Sequence, residues 1–211
     1  MSLFKQTEQS IDSIISELEN RFPARFPMQS AASPALPLLI AIDGRCASGK
    51  STLGLALKQE LELRTGAKAN LFHMDDFYLR PEQRTEARYL EPGGNVDRER
   101  FSAEVLRPLK SGGAFSYRPF DCRTMALSAP VAVPPALFAV IEGSYSLHPD
   151  LAGFYDLRVF LSVSPSEQRR RLLLREGESR LRMFEERWIP LEESYFAALR
   201  PEKNCDLRFE G

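Results

Sequence analysis

Nine consecutive residues, Gly44-Arg45-Cys46-Ala47-Ser48-Gly49-Lys50-Ser51-Thr52, match the pattern GxxxxGK[ST] and stand between a short apolar run and a helical pattern. Each residue type answers a chemical need. The glycines let backbone N–H groups converge on phosphate oxygens at a helix N-terminus. Lys50 neutralises the β and γ phosphates, and the hydroxyl of Ser51 suits Mg²⁺. Gly44, Ala47, Ser48, Gly49, Lys50, Ser51 and Thr52 are therefore the expected contacts of a nucleoside triphosphate, ATP or GTP, with Mg²⁺ as its metal. The base-reading NKxD segment of GTPases is absent from the sequence.

Two acidic positions extend this chemistry. His73-Met74-Asp75-Asp76-Phe77-Tyr78 follows an apolar run, so Asp75 stands where it can accept or orient the proton of an attacking hydroxyl and help hold the metal. Phe138 to Ile141 ends in Glu142-Gly143, which delivers a second carboxylate for Mg²⁺ or its water shell. Farther on, the segment QRRRLLLR (168–175) sets Arg171 and Arg175 on one helical face, where they could close over transferred phosphate. Arg169 and Arg170 read as solvated, or paired with Glu167 and Glu176. Phe184 and Trp188, four apart, read as core anchors, as does Tyr195.

These residues need a scaffold that brings them to one edge. Apolar runs at Leu38 to Ile42, Ala69 to His73, Leu137 to Ile141 and Leu157 to Val163, with a weaker one at Cys205 to Phe209, read as strands. Helical patterns separate most of them: Lys50 to about Gly66, Arg98 to Lys110, Ser166 to Glu176 and Arg180 to Phe196. Parallel strands with crossover helices are the economical topology, and ligands of such sheets sit at the carboxyl ends of the strands. The expected fold is α/β, a three-layer P-loop NTPase with a central parallel five-stranded sheet flanked by helices, a small β excursion between Phe115 and Val133, and a helical lid.

Three regions are expected along the chain. Residues 1–22 form an amphipathic helix with Ile11, Ile14, Ile15, Leu18 and Phe22 on one stripe. Residues 23–37, with Pro23, Pro27, Pro34 and Pro37, form an extended connector. Residues 38–211 carry the P-loop domain. A stripe so short usually covers the chain's own core, although a partner-binding or homo-oligomerising helix would read the same way.

The phosphate loop, MDDFY, Asn95-Val96-Asp97, Tyr117 to Asp121, IEGSY and the late arginine-rich helix occur in the order found in the uridine kinase and phosphoribulokinase group, which the chain resembles from about Leu38 to Phe209. The resemblance implies a nucleoside kinase-like fold, Asp75 as catalytic base, and Asp97 as holder of ribose hydroxyls. It also places Arg118 to Asp121 along the acceptor pocket, so that Asp75, Tyr78, Asp97, Arg118 and Phe120 are the expected acceptor-side residues. Asp97 reads equally as the N-cap of the helix that begins at Arg98. Where the family has aromatic and histidine contacts to the pyrimidine, this chain has Cys122 and Met125. The acceptor is therefore a small molecule with a hydroxyl, either a nucleoside or another compound such as a sugar, pantothenate or glycerate. A nucleotide-dependent switch without transferase activity is the rival from another class.

The bulk composition fits that reading. Acidic and basic residues nearly cancel, at a formal net charge of −1 over 211 residues, so no global field draws the chain to nucleic acid or an anionic membrane. Three dispersed cysteines suggest a reducing, cytoplasmic compartment. No apolar run approaches the roughly 18 residues needed to span a bilayer.

Overall fold

The computed structural model describes residues 3–26 and 36–211, with side chains described from residue 6 onward. Pro27 and Pro34 of the expected connector lie outside the described residues. Pro23 opens a short 3-10 turn, Pro23–Arg25.

Helix α1 (Leu3–Arg21) precedes β1 (Leu38–Gly44), α2 (Lys50–Thr65) and β2 (Ala69–His73). The next segment carries α3 (Glu86–Leu90) and α4 (Arg98–Phe101), which continues through a π turn, Ser102–Leu106, into α5 (Arg107–Ser111). Four short strands follow: β3 (Phe115–Tyr117), β4 (Phe120–Asp121), β5 (Ala126–Leu127) and β6 (Val131–Val133). They form a nested excursion, β3 pairing antiparallel with β6 and β4 with β5. Then come β7 (Phe138–Glu142), α6 (Pro149–Ala152), β8 (Leu157–Ser162) and α7 (Pro165–Glu176). The chain ends in α8 (Glu178–Met183), a second π turn at Phe184–Trp188, α9 (Ile189–Leu199) and β9 (Leu207–Glu210).

The central sheet has the order β2-β7-β1-β8-β9, and all its pairings are parallel. Alternation along each strand sorts its side chains onto two faces. Leu38, Ile40 and Ile42 of β1, Phe138 and Val140 of β7, and Leu157, Val159 and Leu161 of β8 bury against α1 and α2. Leu39 of β1, Ile141 of β7 and Phe160 of β8 turn the other way, toward Phe101, Val105 and Leu109 of α4–α5 and Tyr195 and Phe196 of α9. This is the three-layer arrangement expected from the sequence. The stripe on α1 is part of it: Ile14, Ile15 and Leu18 are fully buried and Ile11 nearly so.

Both π turns have the same local cause. Pro108 and Pro190 each sit one residue inside the helix that follows. A proline there has no N–H to donate, and its ring crowds the carbonyl four residues back. The chain absorbs this by widening the preceding turn, so that Arg107 N–H reaches Ser102 and Ile189 N–H reaches Phe184.

Candidate active site

β1 runs into the phosphate loop at Asp43-Gly44, and two features fix the turn. Gly44 has φ +144°, and a Cβ there would lie 1.9 Å from the carbonyl oxygen of Leu161 on β8, so only glycine fits between the strands. Asp43 is fully buried. Its Oδ1 accepts from the N–H of Gly44 (2.6 Å) and Tyr145 (3.0 Å), and its Oδ2 from the N–H of Leu147 (2.9 Å) and the hydroxyl of Tyr195 (2.7 Å). Burial pushes this carboxyl up to about 6, against the pull of those donors and of the Lys50 charge.

Side chains of α7 and α9 hold the first half of the loop from outside. The buried carboxylate of Glu192 accepts from the Cys46 N–H (3.0 Å) and the Ser144 hydroxyl (2.6 Å), and Glu193 pairs with Arg45. Gln168 donates to the Cys46 carbonyl (3.1 Å) and Arg171 to that of Ala47 (3.2 Å). Burial, and then the nearby Glu192 charge, push the Cys46 thiol up to about 12, so it stays protonated at neutral pH. Lys50, also buried, donates to the carbonyls of Gly44 (2.9 Å) and Arg45 (2.7 Å).

The metal-side pair forms as the pattern requires. Strand register sets Glu142 beside Ile42 of β1 and His73 of β2, and Ser51 Oγ donates to Glu142 Oε2 at 3.1 Å. His73 Nδ1 meets the other Glu142 oxygen, and this hydrogen bond raises the histidine above its ordinary range. The oxygens of Ser51 and Glu142 are hard donors of the kind Mg²⁺ takes. Among the described residues no group of three or more His, Cys, Asp or Glu could hold a metal ion alone. A cation here would draw its remaining oxygens from phosphate and water.

A cleft of about 370 Å³ opens between the loop, the β2 and β7 ends and the last helices. Lys50, Ser51 and Thr52 line its floor; Asp75 and Glu142 line the strand edge; Arg171 and Arg175 line the lid side. Asp75 is exposed and accepts a hydrogen bond from the Tyr78 hydroxyl at 3.0 Å. Its neighbour Asp76 turns away and is held by the Tyr117 hydroxyl at 3.0 Å. Arg171 pairs with Glu167 and Arg175 with Glu176. Arg170 also pairs with Glu167, while Arg169 pairs with Glu185.

The remaining acceptor-side residues are placed differently. Asp97 is 2% exposed and does not line the cleft: it caps α4, accepting from the Arg100 N–H (3.0 Å) and from Gln83 Nε2 (2.8 Å). Arg118 spends its guanidinium on the carbonyls of Ser128 (2.7 Å) and Leu127 (3.0 Å), stapling the β excursion. Phe120 is buried beneath Arg84. Phe184 and Trp188, expected in the core, are only half-buried and form a wall of the cleft, with Trp188 6.5 Å from the ring of Tyr78. Asn95, Ser144, Tyr145 and Glu192 also line it. Of these, only Asn95 stood in a segment with a sequence signal.

No family model matches the chain, and no curated protein matches its sequence. Solved structures do. A protein from Bacillus stearothermophilus provisionally described as a uridine kinase is 23% identical, covering 99% of this chain and 100% of its own, at a TM-score of 0.69. A protein from Silicibacter sp. TM1040 provisionally described as a fructose transport system kinase is 24% identical, covering 92% and 97%, at 0.63. The D-glycerate 3-kinase from Cryptococcus neoformans is 16% identical, covering 89% and 87%, at 0.57. The chain has the uridine kinase-like P-loop fold. In that fold the cleft described above lies at the carboxyl edge of the parallel sheet, where open α/β sheets hold ligands.

Proposed function

We propose that the protein is a small-molecule kinase that moves the γ-phosphoryl group of ATP to a hydroxyl of a nucleoside-like acceptor. The observation that carries this reading is the meeting, in one cleft, of a phosphate loop with Lys50 and Ser51 and an exposed carboxylate, Asp75, whose oxygen is oriented by Tyr78. The proteins of like fold are described as kinases of uridine, fructose and glycerate, all of which offer a hydroxyl.

In this mechanism the loop N–H groups and Lys50 bind the triphosphate, and Ser51 with Glu142 would hold Mg²⁺, which neutralises phosphate charge when bound. Asp75 takes the proton of the acceptor hydroxyl. That oxygen bonds to the γ phosphorus as the bond from phosphorus to the bridging oxygen breaks, and ADP leaves. Arg171 and Arg175 neutralise charge on the transferred group and help exclude water.

The test is ADP release with Mg·ATP against nucleosides, sugars and small hydroxy acids, with Lys50→Ala as the blank. Asp75→Asn should keep ATP binding and lower turnover about 100-fold or more. An unchanged rate removes Asp75 from this mechanism, and ATP binding without stimulation by any acceptor favours a nucleotide switch.

A further inference from the structure

The acceptor half of the cleft has a chemical character that the phosphate half lacks. Among the described residues, its cationic lining is confined to Lys50, Arg171 and Arg175, all on the loop or lid. Around Asp75 the lining groups are the Tyr78 hydroxyl, Asn95, Tyr145 and the aromatic wall of Phe184 and Trp188. No lysine or arginine faces this end to pair with a carboxylate or a second phosphate on the acceptor.

Asn95 is the unusual member. It is 6% exposed, and its Oδ1 is buried with no hydrogen-bond partner in the protein. Its amide nitrogen is accounted for differently. Burial, then the Glu192 charge, raises the Tyr145 phenol, and the Asn95 side chain opposes that rise by donating to it. The nitrogen therefore faces Tyr145, leaving Oδ1 as the atom without a partner. The surrounding backbone holds the residue there. Tyr78 and Val96 form a β-bridge, Asp97 N–H donates to the Phe77 carbonyl at 2.7 Å, and Arg88 donates to the carbonyls of Gly94 and Val96, both at 2.9 Å. A rigidly held, dehydrated oxygen in a ligand cleft is costly unless a donor meets it.

We infer that Asn95 Oδ1 receives a second hydroxyl of the acceptor, beside the one that Asp75 activates, and that the acceptor is a neutral polyol, a nucleoside or sugar, rather than a hydroxy acid. This rests on the kinase reading above. Asp97, whose two oxygens are already engaged by the Arg100 N–H and Gln83, does not share the task. The apolar wall of Phe184 and Trp188 suits the flat face of a sugar or base.

The experiment measures ADP release with Mg·ATP and uridine, D-ribose, D-fructose or D-glycerate, for wild type, Asn95→Ala and Asn95→Asp, together with direct ADP binding. The polyol that supports turnover is then compared with its analogues lacking one hydroxyl. In the wild type one deoxy analogue should lose about 10-fold or more in kcat/KM, because it leaves the buried oxygen unmet. Asn95→Ala should raise the polyol KM about 10-fold or more with kcat and ADP affinity little changed, and should abolish the deoxy penalty. Asn95→Asp, which keeps an acceptor oxygen, should restore much of the affinity. Polyol turnover with an unaltered KM and deoxy penalty in Asn95→Ala overturns the assignment of Asn95 while the kinase reading stands. Turnover with D-glycerate alone overturns the neutral-polyol class. ADP binding with no turnover on any of the four overturns the kinase reading and this inference with it.

Discussion

Replacing Asp43 with asparagine should change how stability depends on pH, and the size of the effect follows from its surroundings. The wild-type carboxyl is raised from 3.8 to about 6 in the folded protein, chiefly by burial. A folded pKa above the unfolded one means that the native state holds the proton more tightly. The favourable contribution is therefore complete below about pH 4 and is lost as pH rises through about 6. At 1.36 kcal/mol per unit, ionised Asp43 opposes folding by about 3 kcal/mol at pH 7.5 but only about 1 kcal/mol at pH 4.5. Asparagine carries no such term, though its NH₂ cannot accept from Leu147 N–H or from the Gly44 and Tyr145 N–H pair. With the NH₂ on the Oδ2 side, Tyr195 can turn its hydroxyl to accept and a single N–H is orphaned, at about 1–3 kcal/mol at every pH. The stability of Asp43→Asn relative to wild type should thus improve by about 2 kcal/mol between pH 4.5 and 7.5. Urea unfolding of both proteins at several pH values, compared as differences so that other titrations cancel, gives the measurement. Parallel curves would show that the buried carboxyl does not titrate as its packing demands.

Gly44→Ala places a Cβ 1.9 Å from the Leu161 carbonyl oxygen and must push β1 from β8. A loss of about 3 kcal/mol or more, or roughly 6–12 °C in Tm for a chain of this size, is expected by calorimetry, and a Tm within 2 °C of wild type refutes the close approach. Asp97→Ala removes a helix cap and the Gln83 partner, so it should cost about 1–2 kcal/mol in urea unfolding, with Asp97→Asn restoring most of it. Alkylation at pH 8 followed by peptide mass analysis should modify exposed Cys122 well before Cys46, whose thiol is pushed up to about 12. Preferential labelling of Cys46 would contradict its burial against Gln168 and Glu192.

The phosphate side of the cleft was legible in the sequence because its parts are contiguous or stand at strand ends. Gly44 to Thr52 is a single unbroken motif, and Glu142 closes an apolar strand whose register carries it to Ser51. The acceptor side is assembled from loops, and there residue type underdetermines the part played. An aspartate just before a helix serves as a cap or as a ligand, and only the structure shows both Asp97 oxygens engaged, by Arg100 and Gln83. Phe184 and Trp188 misled for another reason. Aromatics four apart mark a wall without showing whether core or cleft lies beyond it, and these two bound the π turn that Pro190 imposes. Asn95 lies in a loop with no period at all, so its buried, unmatched oxygen had no one-dimensional trace.

The way the loop is held also limits what the lid can do. Glu192, Glu193 and Tyr195 of α9 fasten to Cys46, Arg45 and Asp43, while Gln168 and Arg171 of α7 fasten to Cys46 and Ala47. Both flanks of the lid are thereby tied to the same five residues of the phosphate loop. Any motion of α8 over the cleft must be taken up between those anchors, where the chain offers Gly177 at φ +78° after α7 and the widened turn at Phe184–Trp188 before α9. The second of these hinges carries the aromatic wall itself. A movement that brings Arg175 toward the phosphates therefore also shifts Phe184, whose ring lies 6.0 Å from the Arg175 guanidinium. Charge neutralisation on one side of the cleft and acceptor packing on the other are coupled through a single turn of helix.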